Sequence, residues 1–122
     1  MYKTVFKVQG NILFADVSGE RNYNDSRILW NLIKQQFDNP KIKNLILILN
    51  LDGIMSLLDY DKLATDPEII KVIDGYNIAL VDSNLLSIQN NQYAADLLYL
   101  KNIHVEVFQT VEKAKLWIAS FS

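Results

Sequence analysis

Lys43-Asn44-Leu45-Ile46-Leu47-Ile48-Leu49-Asn50-Leu51-Asp52-Gly53-Ile54-Met55-Ser56-Leu57-Leu58-Asp59-Tyr60 opens with five consecutive aliphatic residues, Leu45 to Leu49. A strand with one solvated face alternates apolar and polar residues. An unbroken aliphatic run is buried on both faces, as at the centre of a mostly parallel sheet. This spacing predicts a central strand over Asn44 to Leu51. Asp52-Gly53 then leaves that strand at its carboxyl end, where open α/β sheets place ligands and switches.

Upstream, Tyr2 to Val8 alternates, with Lys3 and Lys7 on one face, and reads as an edge strand. Gly10-Asn11 is a two-residue hairpin signal, so Ile12 to Val17 returns antiparallel to it. Ser18 to Asn24 reads as a polar loop, with Asn24 or Asp25 as the cap of a helix. Ile28, Leu29, Leu32, Ile33 and Phe37 then recur at helical spacing, and Asp38-Asn39-Pro40 ends that helix.

Downstream, a turn is expected over Leu57 to Leu63. Asp66-Pro67-Glu68 starts a helix, with the proline at its first position. Gly75 closes it. Tyr76 to Val81 is a strand, Asn90 to Leu100 a helix, and Ile103 to Phe108 the last strand. Thr110 caps a final helix whose Ala114, Trp117, Ile118 and Phe121 face the core. Strands alternating with helices predict an α/β fold. The expected architecture is a mixed five-stranded sheet, its N-terminal edge strand antiparallel, with about four helices.

Length and composition limit the function classes. The 122 residues fit one domain, taken as 1–122, half of them hydrophobic and 21% charged. There is no cysteine, which removes disulfides, thiolate zinc sites and cysteine nucleophiles. A net charge of −2 and no basic patch argue against a nucleic-acid partner. No apolar run reaches the roughly 18 residues of a membrane span. Met1 to Lys7 alternates rather than forming the apolar segment of a secretion signal. A cytoplasmic location is the resulting expectation. No glycine-rich phosphate-binding pattern occurs, so no cofactor is expected.

The candidate chemical groups each have an ordinary structural reading. Asp16, Asp52, Asp59 and Asp82 follow strands or start helices, so converging carboxylates for a divalent cation are one reading. Caps and turns, which aspartate favours, are the other, and they lead to no metal site being assigned. His104 is the only histidine and has no cysteine to share a zinc ion with; a structural or edge role is expected. Ser83 lacks the glycine frame of a nucleophile elbow. Gly53 suits a turn with positive φ. Met55, Leu57, Leu58 and Leu63, with Tyr60, form an apolar cluster. It is read either as a lip for a small apolar ligand or partner, or as an ordinary helix face. Trp30 lies off the inward stripe of the first helix, where it marks an interface such as a homodimer or covers a loop.

The hairpin start, the strand Leu45-Ile46-Leu47-Ile48-Leu49-Asn50-Leu51-Asp52-Gly53 and the ending Val107-Phe108-Gln109-Thr110-Val111-Glu112-Lys113-Ala114-Lys115-Leu116-Trp117-Ile118 together resemble STAS domains. The SpoIIAA-like branch, also described as STAS/SEC14-like, is the nearest in pattern. Phe108, Thr110, Glu112, Ala114, Trp117 and Ile118 match its closing motif by type and order. The resemblance implies a non-enzymatic regulatory domain like the bacterial anti-sigma-factor antagonists, docking on an unknown protein partner through the segment after the central strand. The corresponding positions are Asp52, Gly53, Ser56, Asp59, Tyr60 and Asp61. The family's phosphorylated serine would fall at Tyr60, with Ser56 out of register, so docking without that switch is implied. Other members resemble binders of lipids or other apolar ligands, which leaves a carrier of a small apolar ligand as the alternative.

Overall fold

The computed structural model describes residues 1–121. Five strands form one sheet in the order β1-β2-β3-β4-β5. They are β1 (Lys3–Gln9), β2 (Ile12–Glu20), β3 (Asn44–Asp52), β4 (Asn77–Asp82) and β5 (His104–Phe108). β1 runs antiparallel to β2, and the remaining pairs are parallel. The mixed sheet with an antiparallel N-terminal edge is therefore as the alternation predicts. Gln9 pairs with Ile12, leaving Gly10 and Asn11 as the hairpin turn. Only Gly10 takes positive φ there, at 59°.

Five helices are found among the described residues, one more than the sequence suggests: α1 (Tyr23–Gln36), α2 (Leu57–Thr65), α3 (Pro67–Ile73), α4 (Leu85–Tyr99) and α5 (Val111–Ala119). The expected turn over Leu57 to Leu63 is a full helix. Asp66 closes α2 and caps α3, its Oδ1 accepting from the Glu68 N–H at 2.9 Å. β2 runs three residues beyond Val17, and α1 is capped by Asn22 rather than Asn24 or Asp25. Asn22 and Asp25 bond reciprocally, and the Asn22 amide draws the Asp25 carboxyl below its ordinary range.

The central strand is covered on both faces. Leu45, Leu47, Leu49 and Leu51 join the main core with residues of α1 to α4. Ile46 packs with Ala79, Val81, Ala114 and Ile118 in a smaller core, to which Ile48 adds a half-buried side chain. Four helices thus share one face and α5 covers the other. Alanines at 79 and 114 leave room for the helix to approach the sheet closely.

Two helix faces differ from the apolar pattern. Ser26, Leu29 and Ile33 are the buried residues of α1, with Trp30 packed against the same core. Ile28 and Leu32 are exposed instead. Trp30 therefore packs within its own domain, which removes the sequence argument for a homodimer. In α4 the inner stripe is Ser87, Asn91, Ala95 and Leu98. Two polar residues at its start hide the helical period, which is why the pattern places the beginning near Asn90 instead of Leu85.

Candidate functional site

Arg21 directly follows β2, and its backbone N–H donates to the Asp52 carbonyl at 2.8 Å, tying the ends of β2 and β3 together. Its side chain turns inward and is 2% exposed. The guanidinium donates through Nη2 to Asp82 Oδ2 at 3.0 Å and through Nε to the Gly53 carbonyl at 3.1 Å. Longer contacts reach the Tyr60 hydroxyl at 3.4 Å and the Leu51 carbonyl at 3.5 Å. Asp82, at the end of β4, is fully buried. Its Oδ2 also accepts from Asn91 Nδ2 at 2.8 Å, and its Oδ1 from the Asn84 N–H at 2.9 Å. An ion pair this deep is tolerable only because nearly every lone pair and proton finds a partner.

One ion pair thus joins β2, the β3–α2 loop, α2, β4 and α4. Gly53 makes the turn possible: its φ of 78° is strained for other residues, and it presents the carbonyl that Arg21 grips. Ser56 caps α2 by accepting from the Asp59 N–H at 3.2 Å. Asn84 caps α4 by accepting from the Leu86 N–H at 3.0 Å. Asp61 accepts from the Tyr93 hydroxyl at 2.9 Å, a second tie between α2 and α4.

Tyr60 is an interior residue, 4% exposed, and so not a surface contact. Burial pushes its phenol above the ordinary value of 10.0, against the lowering pull of Arg21. The Ser87 hydroxyl lies close enough to favour the phenolate, yet it is buried without a well-formed hydrogen bond. Tyr93 is also raised, chiefly by its bond to Asp61. Both folded values lie above the unfolded one. The stability these tyrosines contribute is therefore intact below about pH 10 and is lost as pH rises through the folded values. Urea midpoints measured from about pH 9 to about pH 11 should fall, and Tyr60→Phe should make that fall shallower. An unchanged slope would mean that Tyr60 ionises as freely folded as unfolded.

The remaining members of the expected docking segment are on the surface: Asp52, Gly53 and Ser56 exposed, Asp59 and Asp61 half-buried. The apolar lip divides. Met55 is buried and Leu63 half-buried, whereas Leu57 and Leu58 are exposed. With Ile54, Leu85 and Leu86 they give five large aliphatic side chains that are 50% to 75% exposed. Ile54 lies in the β3–α2 loop and the other four in the first turns of α2 and α4, all beyond the carboxyl ends of β3 and β4. Arg21 contacts both Tyr60 of α2 and Asp82, and Asp82 in turn accepts from the Asn84 N–H at the cap of α4, which brings the two helix starts together.

Beneath α2 a mostly apolar hollow of about 80 Å³ is lined by Leu47, Met55, Tyr60, Leu63, Ile73 and Leu98, among others. Ligand pockets for drug-sized molecules begin at roughly 300 Å³.

The four aspartates do not converge. Asp82 is interior and engaged, whereas Asp16 sits on the α5 side of the sheet and accepts from Asn50 at 2.8 Å. Among the described residues no group of three His, Cys, Asp or Glu is placed to hold a metal ion. His104 starts β5 at the other end of the sheet, exposed, with Nδ1 at 3.2 Å from Asn77 Oδ1. Ser83 is exposed. No described helix is long and apolar enough to cross a membrane.

Sequence reasoning singled out Asp82 only as one of four aspartates, for a cation or a turn, and missed its pairing with Arg21 as well as Ser87 and Asn91. The available signal was a polar pair four residues apart, Ser87 and Asn91, in line with Ala95 and Leu98 on one helix face.

No family model matches the chain, and no curated protein matches it. Among solved structures, the NMR structure of the protein TM1081 is similar, at 18% sequence identity and a TM-score of 0.47, over 90% of this chain and 83% of that chain.

Proposed function

We propose that this protein is a non-catalytic, cytoplasmic docking domain of the STAS, SpoIIAA-like kind, which binds a protein partner at the carboxyl end of its sheet. The observation that carries this reading is the exposed cluster Ile54, Leu57, Leu58, Leu85 and Leu86. Isolated exposed aliphatics are ordinary, but a group of five on two helix starts and the loop leading into one of them is the mark of an interaction surface. The network beneath supports the same reading. Arg21 and Asp82 hold each other, and Tyr60 keeps its proton at neutral pH, so these groups serve to position the two helix starts.

A carrier of a lipid-sized ligand finds less support, since the hollow under α2 holds only about 80 Å³. The resemblance noted above and the serine displaced from its family position favour docking without a phosphorylation switch.

Native mass spectrometry of the protein isolated from its own cells tests both readings. The expected species is a complex with a second protein, absent when Leu58 and Leu86 are both replaced by aspartate while the melting temperature stays within a few degrees. A complex that survives this double change would place the docking surface elsewhere. An added mass of a few hundred daltons would revive the ligand carrier.

A further inference from the structure

The charge around the aliphatic cluster is one-sided. Residues 44–61 contain Asp52, Asp59 and Asp61 and no basic residue, and residues 72–100 contain Asp74, Asp82 and Asp96 and again no basic residue. The chain as a whole is nearly balanced, with 12 basic and 14 acidic residues, so this is a local asymmetry. Glu20, at the end of β2, pairs in register with Asp52 and is likewise exposed. The nearest cation, Arg21, is buried and committed to Asp82. Lys62, further along α2, lies over the Tyr23 ring with Nζ at 5.7 Å from its centroid. The starts of α2 and α4 add roughly half a positive charge each. Three full carboxylates, Glu20, Asp52 and Asp59, outweigh them.

Building on the docking reading, we infer that the partner presents an amphipathic helix, with aliphatic anchors for this cluster and lysine or arginine on its flanks. Strand addition is not available here. The free edges of the sheet are β1 and β5, whereas the cluster stands over the ends of β3 and β4. The caps also use part of the backbone at the two helix starts, Ser56 taking the Asp59 amide and Asn84 the Leu86 amide. The exposed aliphatic side chains are the main contact surface, and a helix supplies apolar anchors at spacings of three and four residues with cations beside them. An acidic rim also repels anionic membranes and nucleic acid, which leaves a basic protein segment as its complement.

Selection from a displayed library of helical peptides, with apolar and flanking positions randomised, gives the test. The expected winners carry an aliphatic stripe flanked by lysine or arginine. Their binding should weaken by about tenfold or more when Glu20, Asp52 and Asp59 become Gln, Asn and Asn, and again in high salt. It should vanish in the Leu58→Asp, Leu86→Asp protein. Winners that require Leu58 and Leu86 but carry neutral or acidic flanks would overturn the cationic partner and leave docking standing. Winners indifferent to Leu58 and Leu86, or no winners at all, would overturn both. Self-association of the protein alone, lost in the same double variant, would show that a second copy covers the cluster and would also overturn the inference.

Discussion

Asp82→Ala is expected to lower the unfolding free energy by about 3–5 kcal/mol, close to the limit a domain of this size survives. The loss comes less from attraction forgone than from what remains. Arg21 would keep its charge at 2% exposure with only carbonyl and phenol oxygens about it, and Asn91 would lose its acceptor. Replacing both partners, as Arg21→Met with Asp82→Leu, should recover a good part of that loss, because no unpaired charge is left inside. Urea denaturation of the double variant, with Arg21→Met and Asp82→Leu singly to complete the cycle, measures the coupling. A loss below about 1 kcal/mol in Asp82→Ala would mean that water reaches the guanidinium and that the pair does not organise this end of the sheet.

Tyr60→Ala should be nearly as severe, at about 3–5 kcal/mol, the usual range for deleting a buried ring. The site borders the hollow under α2, so the lost ring enlarges a space that is already poorly filled. Tyr60→Phe keeps the ring and removes only the hydroxyl that accepts from Arg21; about 1 kcal/mol is expected. The contrast separates interior from surface within one short segment. Leu58→Asp, two residues away and exposed, should shift stability by no more than about 0.5 kcal/mol. Thermal melts of the three variants provide the check. Equal destabilisation by Leu58→Asp and Tyr60→Ala would show that the aliphatic cluster is part of the fold and would weaken the docking reading.

Much of the architecture could be read from local pattern. The run Leu45 to Leu49 requires two apolar faces, the lysines of the first strand suit an edge, and Pro67 and Thr110 start helices by their backbone chemistry. These are one-dimensional signals, set by strand and helix periods and by capping. The start of α4 was not legible because Ser87 and Asn91 occupy its inner stripe. The split of residues 57–73 into two helices turns on Asp66, which ends one helix and caps the next.

The sequence by itself determined the fold class, the antiparallel edge, the central strand and the lack of basic residues from that strand through residue 61, since composition and periodicity are properties of neighbours along the chain. The tertiary structure alone decided that Arg21 meets Asp82, that Tyr60 turns inward while Leu57 and Leu58 stay out, and that the starts of α2 and α4 share one surface. Arg21 and Asp82 lie 61 positions apart. Their pairing depends on parallel strands bringing the ends of β2 and β4 to the same side of the sheet, and no local rule along the chain contains that distance.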